Sequence, residues 1–393
     1  MSTNSSSPLP RSDYLNVAAL SRLFNDVQNS YKFLFFLSLL DVLQGKHFNV
    51  EVPISFQSLI VEMLVYAWYP HTYFKLSFGK QDQIAQKLTS LSPNIAQLEK
   101  AVTSRQQVRR VITSQNVTDV VSHFRRYVPF RLLKPFVEQE LEPNIASKGN
   151  DLERVMPGLV NEYFESLKPL YRFDSTELKN CQSIIIHPDW ASYLNQHQGI
   201  LRGWASWKWL EYMQKKNPST PAIASKLFMP TKRNSLKNQT DYWRQIMKDS
   251  ELRCIYSQQL IDPNNISLDH YIPWSFVAHD QLWNLIPTSA VVNSSKSNKI
   301  PSDKYFDDFV RLQHTGLVTT HTALTESEWL NEIEPFISDL GISEKDDLRD
   351  LEKLMNAYEN TIKPLVLLAK NQGFGTDWQY NNAVNDGSSI GII

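Results

Sequence analysis

The sequence has few cysteines, no excess of charge of one sign and no long apolar run. Cys181 and Cys254 are the only cysteines in 393 residues, which excludes a disulfide framework and favours a reducing compartment. The 40 basic and 41 acidic residues give a formal net charge of −1, so any contact with a nucleic acid must come from local basic patches. The most apolar run, residues 33–40, is far shorter than the roughly 20 residues that span a bilayer, and we predict a buried helix and no membrane partner.

The first residues, MSTNSSSPLPRSD, are polar and lack the apolar core of a secretory signal. We therefore expect residues 1–12 to be a disordered leader and the protein to be cytoplasmic.

Apolar periodicity predicts a mainly α protein. Helices are expected over 16–43, 54–69, 82–91, 101–113 and 199–218, and after residue 301 over 303–313, 326–340 and 344–370. Gly45 is placed like a helix stop. The β-branched run in residues 183–190 is the best strand candidate of the first half.

Two stretches are locally basic. Residues 105–134 contain seven Lys and Arg and one acid, Asp119, with apolar residues at helical spacing between them. Their arginines line either a solvated helix face or a surface that contacts phosphates. The second stretch lies directly before the motif described below, and we predict that it holds a nucleic-acid backbone. Its basic residues are Lys226, Lys232, Arg233, Lys237, Arg244, Lys248 and Arg253.

The most informative window is residues 254–301. Residues 253–257 and 267–272 read as two short strands joined by the turn-rich DPNN, and a loop and then a short helix opened by Thr288 or Ser289 follow. Within this β-hairpin and helix, thirteen residues separate His270 from Asn284 and eight separate Asn284 from Asn293. Asp269 directly precedes the histidine, and Lys296 and Pro301 complete the pattern.

This order and spacing resemble the HNH endonucleases, whose ββα-metal core carries an Asp-His pair on the hairpin, a central Asn and a final His or Asn on the helix. The spacing looks like that of the HNH domains in RNA-guided CRISPR effector nucleases, although the helical remainder does not resemble those effectors. The sequence around Asn284 and Asn293 is similar to that of stand-alone bacterial HNH proteins with a helical N-terminal region. The resemblance implies a ββα-metal motif embedded in a helical scaffold, and DNA as the substrate.

The residue types suit phosphodiester hydrolysis. A histidine such as His270 is a natural general base near neutral pH. Asp269 and Asn293 offer a carboxylate and an amide oxygen, which are donors suited to Mg²⁺ or Mn²⁺. We expect Asn284 to orient the loop or the histidine. Lys296 either meets the phosphate or is a plain surface lysine.

Neighbouring residues of a strand point to opposite faces, so we expect the strand to bend near Pro273 if Asp269 and His270 are to act together. A structural zinc is not expected, because Cys254 is followed three residues later by Ser257 and four zinc ligands cannot be assembled. Packing should then hold the motif. The residues we expect to supply it are Tyr256, Tyr271, Ile272, Trp274, Phe276, Trp283 and Leu285.

The predicted fold class is mainly α with a small α+β insert. The predicted segments are a leader (1–12), a helical regulatory, DNA-binding or partner-binding domain (13–215), an HNH nuclease domain with its basic lead-in (216–310), C-terminal helices (311–380) and a tail (381–393).

The predicted function is metal-dependent DNA cleavage in bacterial phage defence or restriction. The alternatives are a nucleic-acid-binding effector subunit whose site is inactive or gated by a protein partner, and cleavage of RNA. Double-strand cutting with one site per chain requires a homodimer or two successive nicks.

Overall fold

The computed structural model describes residues 9–91, 104–141, 149–228 and 235–381. The chain divides into two compact units, one made of residues 1–218 and 226–229 and the other of residues 219–225 and 230–393. Among the described residues, no helix is both long enough and apolar enough to cross a membrane. Most of the predicted leader and tail lies outside the described residues. Leu9, however, is buried, and the carbonyl of Pro10 accepts a hydrogen bond from Tyr193 at 2.6 Å.

The first unit is helical with one small sheet. Its helices are α1 (Val17–Ser21), α2 (Tyr31–Gly45), α3 (Phe56–Trp68), α4 (Ile84–Leu91), α5 (Arg105–Thr113), α6 (Thr118–Arg125), α7 (Val128–Arg131), α8 (Lys134–Val137), α9 (Gly149–Glu162), α10 (Pro188–Gln196) and α11 (Gln198–Lys216). The strands β1 (Ile54–Ser55), β2 (Tyr171–Phe173) and β3 (Ser183–Ile186) form an antiparallel sheet in the order β1-β3-β2. The strand predicted from the β-branched run is therefore confirmed, and in the structure it is the central strand of the sheet.

The core of this unit is built around α2 and α3. Residues 33–40 of α2 are buried on every side of the helix, as their continuous apolar character predicts. The single helix predicted over 16–43 is wrong, because α1 ends at Ser21 and α2 begins at Tyr31. Polar residues between them, such as Asn25 and Asp26, favour turns. The predicted stop at Gly45 is confirmed.

The second unit contains the window of interest. Helix α12 (Ile223–Leu227) lies where the two units divide, and α13 (Lys237–Asp249) follows. Next come β4 (Ser267–His270), α14 (Trp274–Val277), β5 (Leu285–Thr288), α15 (Ala290–Lys296), α16 (Phe306–Ala323), α17 (Glu326–Leu340) and α18 (Leu351–Asn371). The predicted fold class, mainly α with a small α+β insert, is confirmed.

The hairpin prediction is wrong in its strands. β4 pairs antiparallel with β5, and Asp269 lies opposite Ile286. Residues 253–257 form no strand and contribute only an isolated bridge between Arg253 and Leu260. The sequence of β5 contains Pro287, which made it look like a loop. In a two-stranded sheet a proline is tolerated, because one side of each strand needs no partner.

The C-terminal helices hold the segment between β4 and β5 in place. The side-chain amide of Gln313 on α16 donates to the carbonyls of Leu282, Trp283 and Leu285. The hydroxyl of Tyr358 on α18 donates to the carbonyl of Trp283 at 3.0 Å. These helices therefore share one core with the motif and fix a loop that would otherwise have unpaired backbone carbonyls.

Candidate active site

The short sheet and α15 form a ββα unit. Ser289 caps α15 by accepting a hydrogen bond from the backbone N–H of Val292, so the predicted opening of this helix at Thr288 or Ser289 is confirmed. Of the seven residues expected to hold the motif by packing, all but Trp274 are buried. The ring of Tyr271 stacks on Phe309 of α16 with 4.0 Å between centroids.

Asp269 is buried and both of its carboxylate oxygens are hydrogen-bonded. Oδ1 lies 3.0 Å from Nζ of Lys296, and Oδ2 accepts from the hydroxyl of Tyr256 at 2.8 Å. Lys296 is itself 0% exposed and also donates to the carbonyl of His270 at 2.6 Å. Lys296 is thus not a surface lysine, and its side chain has no contact with solvent.

Burial controls the ionisation of the two partners of Asp269. Desolvation lowers the pKa of Lys296, and the carboxylate of Asp269 opposes that shift. Desolvation, reinforced by the same carboxylate, raises the pKa of Tyr256 well above its usual value, so the hydroxyl stays protonated and donates. Tyr256 was expected from the sequence only as a packing residue.

His270 contacts a carboxylate that we did not single out from the sequence. Its Nε2 lies 2.9 Å from Oδ1 of Asp280. Because an ionised carboxylate only accepts hydrogen bonds, Nε2 is the donor in this contact, and in a neutral ring Nδ1 then keeps its lone pair. Gln239 on α13 donates to the backbone carbonyl of Asp280 at 3.1 Å, which ties that helix to the site. A carboxylate ten residues after His270, in the segment that joins β4 to β5, was the signal that could have identified Asp280.

β4 is regular through His270, and the side chains of Asp269 and His270 contact different partners. The chain turns only after the histidine. Asn284, which is 0% exposed, clamps this turn: its Oδ1 accepts from the backbone N–H of Ile272 at 2.8 Å and its Nδ2 donates to the carbonyl of Ile272 at 2.9 Å. Of the two roles expected for Asn284, the contacts are those of a loop clamp.

Asn293 projects from α15 towards β4. Its Nδ2 donates to the hydroxyl of Ser267 at 2.8 Å and to the carbonyl of Leu268 at 2.9 Å. The carbonyl of Leu268 can only accept, which fixes the orientation of the amide. The amide oxygen therefore points away from these two groups. Asn293 is thus held against the residue that directly precedes Asp269.

The described residues of the basic stretch 226–253 lie in different environments. Lys237, Arg244 and Lys248 are exposed on α13, where Asp241 pairs with the first two at 2.5 Å and 3.5 Å. Arg253 is exposed in the loop that follows, and its guanidinium donates to the carbonyl of Gln258. Of the remaining three residues, only Lys226 is among those that the structure describes. Lys226 is 0% exposed, and burial lowers its pKa to about 7, while Lys232 and Arg233 lie outside the described residues.

Cys254 faces the end of β5. Its Sγ lies 3.1 Å from the hydroxyl of Thr288, and both residues are buried. Within the part of the chain that the structure describes, no three His, Cys, Asp or Glu side chains form a group that could hold a metal ion. A cation at Asp269 would therefore need other kinds of ligand, such as amide oxygens, water or substrate oxygens.

Residues 254–302 match the family model of the HNH endonucleases. The chain carries an HNH endonuclease domain. The match covers the ββα unit and begins at Cys254. HNH nucleases in general bind a divalent metal and act on nucleic acid, so the domain indicates nuclease activity. No curated protein and no solved structure matches the chain.

Proposed function

We propose that this protein is a metal-dependent endonuclease that hydrolyses phosphodiester bonds in DNA, with His270 as the general base. The observation that carries the proposal is the hydrogen bond between His270 and Asp280. Asp280 holds the proton of Nε2 and orients the ring, which leaves Nδ1 to take a proton from the attacking water. Water is then the nucleophile, and no protein side chain has to attack the phosphorus.

Asp269 and Asn293 are the residues that would hold the cation. Each carboxylate oxygen of Asp269 accepts one hydrogen bond and retains a second lone pair, and the amide oxygen of Asn293 is not used by Ser267 or Leu268. One carboxylate and one amide are hard oxygen donors, which fit Mg²⁺ or Mn²⁺ rather than a thiophilic metal. A bound divalent cation would supply stabilisation of the charge that develops on the phosphate and on the departing oxygen.

Lys296 and Tyr256 act through Asp269 rather than on the substrate. They hold the two oxygens of the carboxylate from separate elements, α15 and the segment before β4. Asn284 keeps the turn after His270 fixed through its two hydrogen bonds to the backbone of Ile272. We therefore assign these three as positioning residues, and assign contact with the reacting atoms to His270, Asp269 and Asn293.

DNA is the proposed substrate because the HNH resemblance implies it, and the exposed cations of α13 are suited to a duplex backbone. Lys237 and Arg244 are seven residues apart, and Arg244 and Lys248 are four apart, so the three share one helix face. The same helix bonds to Asp280 through Gln239, which links the basic face to the base. A role in phage defence or restriction is the biological setting we propose.

The test is cleavage of supercoiled plasmid by the full chain in Mg²⁺ or Mn²⁺, with EDTA and a single-stranded RNA as parallel arms. We expect nicked or linear DNA, lost in EDTA and lost in His270→Ala. His314→Ala is the matched control, because His314 lies on α16 and bonds to the carbonyl of Arg349 instead of Asp280. Binding of DNA without cleavage under every metal would replace the proposal with the gated effector subunit. Cleavage of RNA alone would overturn the choice of DNA.

A further inference from the structure

Residues 374–380, which we call the C-terminal strap, pair with the segment that follows α15. The backbone N–H of Ile300 donates to the carbonyl of Gly375 at 2.8 Å, and the N–H of Trp378 donates to the carbonyl of Ile300 at 3.1 Å. The N–H of Ser302 donates to the carbonyl of Trp378 at 2.9 Å. These bonds attach the strap to the chain directly after the helix of the ββα unit.

Aromatic side chains anchor the strap at both of its ends. Phe374 is buried and meets Phe276 of α14 edge to face, with 5.7 Å between centroids. At the other end, the backbone N–H of Tyr380 donates to the hydroxyl of Tyr305 at 3.2 Å. Trp378 lies between these two anchors, so its position is determined from both sides.

The ring of Trp378 packs against a residue of the candidate active site. Trp378 is 7% exposed, and its ring meets the ring of Tyr256 edge to face, with 5.1 Å between centroids and 82° between planes. Tyr305 also meets Tyr256 edge to face at 5.1 Å. The hydroxyl of Tyr256 donates to Oδ2 of Asp269 at 2.8 Å. Tyr256 therefore contacts Trp378 through its ring and Asp269 through its hydroxyl.

These contacts link the strap to both partners of Asp269. An edge-to-face pair is directional, because the positive edge of one ring meets the negative face of the other. The plane of the Tyr256 ring, and hence the direction of its hydroxyl, is therefore restrained by Trp378. Lys296, the other partner, lies four residues before Ile300, which is the first residue that pairs with the strap.

The strap lies outside the part of the chain that matches the HNH endonucleases. That match ends at residue 302, more than seventy residues before Trp378. A segment from outside the match thus covers the ring of a residue inside it. The residues of the matched domain alone do not account for how Tyr256 is held.

We propose that the C-terminal strap completes the nuclease site, and that Trp378 is a positioning residue that acts through Tyr256 on Asp269. The inference rests on the proposed function, because Asp269 is the carboxylate that we assign to the cation. Loss of the indole frees the ring of Tyr256, and the hydroxyl then no longer holds Oδ2 in one orientation. The cation meets a less ordered carboxylate, so its affinity falls, whereas His270 keeps its own contact with Asp280.

A double-mutant cycle tests the link between Trp378 and Tyr256 without any need for nuclease activity. Hydrogen–deuterium exchange of peptides covering β4 in the full chain gives the equilibrium constant for opening of that strand. Tyr256→Phe removes only the hydroxyl, and we expect it to raise this constant by about 10- to 100-fold, as for a lost hydrogen bond to a charged group.

In Trp378→Leu the same change from Tyr256 to Phe should raise the opening constant by less than about 3-fold, because the hydroxyl is already displaced. Trp378→Met is a second variant without a ring and should behave in the same way. Trp378→Phe keeps an aromatic ring and should restore most of the effect. Circular dichroism checks that each variant is folded.

Trp329→Leu is the matched control. Trp329 is a buried tryptophan of the same unit, but its ring meets His321 and its indole N–H donates to the carbonyl of Leu317. The effect of Tyr256→Phe should stay within about 2-fold of its wild-type value in this background. Equal effects of Tyr256→Phe in wild type and in the ringless Trp378 variants would overturn the proposal, as would the same loss of effect in Trp329→Leu. Failure of both ringless variants to fold would assign Trp378 to folding alone and also overturn it.

Plasmid cleavage over a range of Mn²⁺ concentrations tests the consequence for the site. Trp378→Leu should need at least about 5-fold more Mn²⁺ for its half-maximal rate, and Trp329→Leu should match the wild type within about 2-fold. A mere loss of folded protein lowers the maximal rate without changing the half-maximal concentration. An unchanged Mn²⁺ requirement in Trp378→Leu would contradict the proposal. If the wild type cuts nothing, the proposed function fails, and the exchange cycle still decides whether the strap positions Tyr256.

Discussion

Nζ of Lys296 lies 3.0 Å from Oδ1 of Asp269, and both side chains are buried. The pair is neutral as a whole, although Asp269 is the carboxylate that we assign to the cation. A lysine ammonium and a divalent cation are both attracted to the same oxygens and repel each other. The substrate phosphate brings further negative charge, so cation binding should be much stronger with nucleic acid than without it.

Replacing Lys296 should expose this competition. Lys296→Met leaves the buried carboxylate of Asp269 without its cation, and we expect a loss of about 3–5 kcal/mol of unfolding free energy in metal-free buffer. Adding Mn²⁺ should restore more stability in this variant than in the wild type, because the metal takes the place of the ammonium. Urea unfolding with and without Mn²⁺ measures both effects.

Lys299→Met is the control for this measurement, since Lys299 is an exposed lysine three residues further on. It should change stability by less than about 0.5 kcal/mol and respond to Mn²⁺ as the wild type does. An identical Mn²⁺ response in Lys296→Met and wild type would show that the ammonium does not compete with the metal.

Asp280 should be needed for turnover but not for binding. Asp280→Ala removes the acceptor of His270 Nε2–H, so the ring can rotate and change tautomer. We expect kcat for plasmid cleavage to fall by about 10- to 100-fold, as for other carboxylates that orient a histidine, with the Kd for DNA unchanged. Asp280→Glu should recover part of the rate. A parallel loss of DNA affinity would instead assign Asp280 to folding of the loop.

Much of the site could be predicted from the sequence because it is specified by spacing. The positions of Asp269, His270, Asn284 and Asn293 lie within one short window, and Ser289 has the residue type of a helix cap. The partner of β4 could not be predicted in this way. Pairing is decided by which segment returns beside the strand in three dimensions, and the short apolar run around Pro287 carries no alternation that would mark it as a strand.

The burial of Lys296 was missed for another reason. A lysine on a short polar helix is ordinarily exposed, and only the position of Asp269 on the neighbouring strand makes a buried ammonium favourable. The ion pairs of Arg105 and Arg109 with Glu62 were missed for the same reason. Glu62 lies more than forty residues earlier in the chain, so the sequence around the arginines gave no sign that they were neutralised.

Asn284 should be important for stability as well as activity. Asn284→Ala leaves both the N–H and the carbonyl of Ile272 buried without partners. Each unsatisfied group costs about 1–3 kcal/mol, and we expect a total loss of about 2–4 kcal/mol in urea unfolding. Asn264→Ala, at an exposed position of the turn before β4, should change little. Unchanged stability in Asn284→Ala would mean that water replaces the clamp.

His187 should make the first unit sensitive to acid. It is 4% exposed, and its Nδ1 accepts from the backbone N–H of Asp189 and so caps α10. Burial lowers the pKa of His187 below its usual value. The unfolded chain therefore binds more protons as pH falls through about 6.5, and the free energy of unfolding decreases, by at most about 1.4 kcal/mol per pH unit for one proton. The decrease stops once pH is below the folded-state pKa.

His187→Asn tests this directly, because asparagine caps a helix but does not titrate. We expect wild-type protein to lose protection of residues 188–196 between pH 7 and pH 5, and the variant to lose less. Hydrogen–deuterium exchange of peptides covering α10, corrected for the intrinsic effect of pH on exchange, gives the local free energy in each case. His71 and His123 also have lowered pKa values caused by burial, so some acid sensitivity should remain in the variant. Equal pH dependence in the two proteins would show that His187 does not contribute, because the cap is preserved in both and only the titrating ring differs.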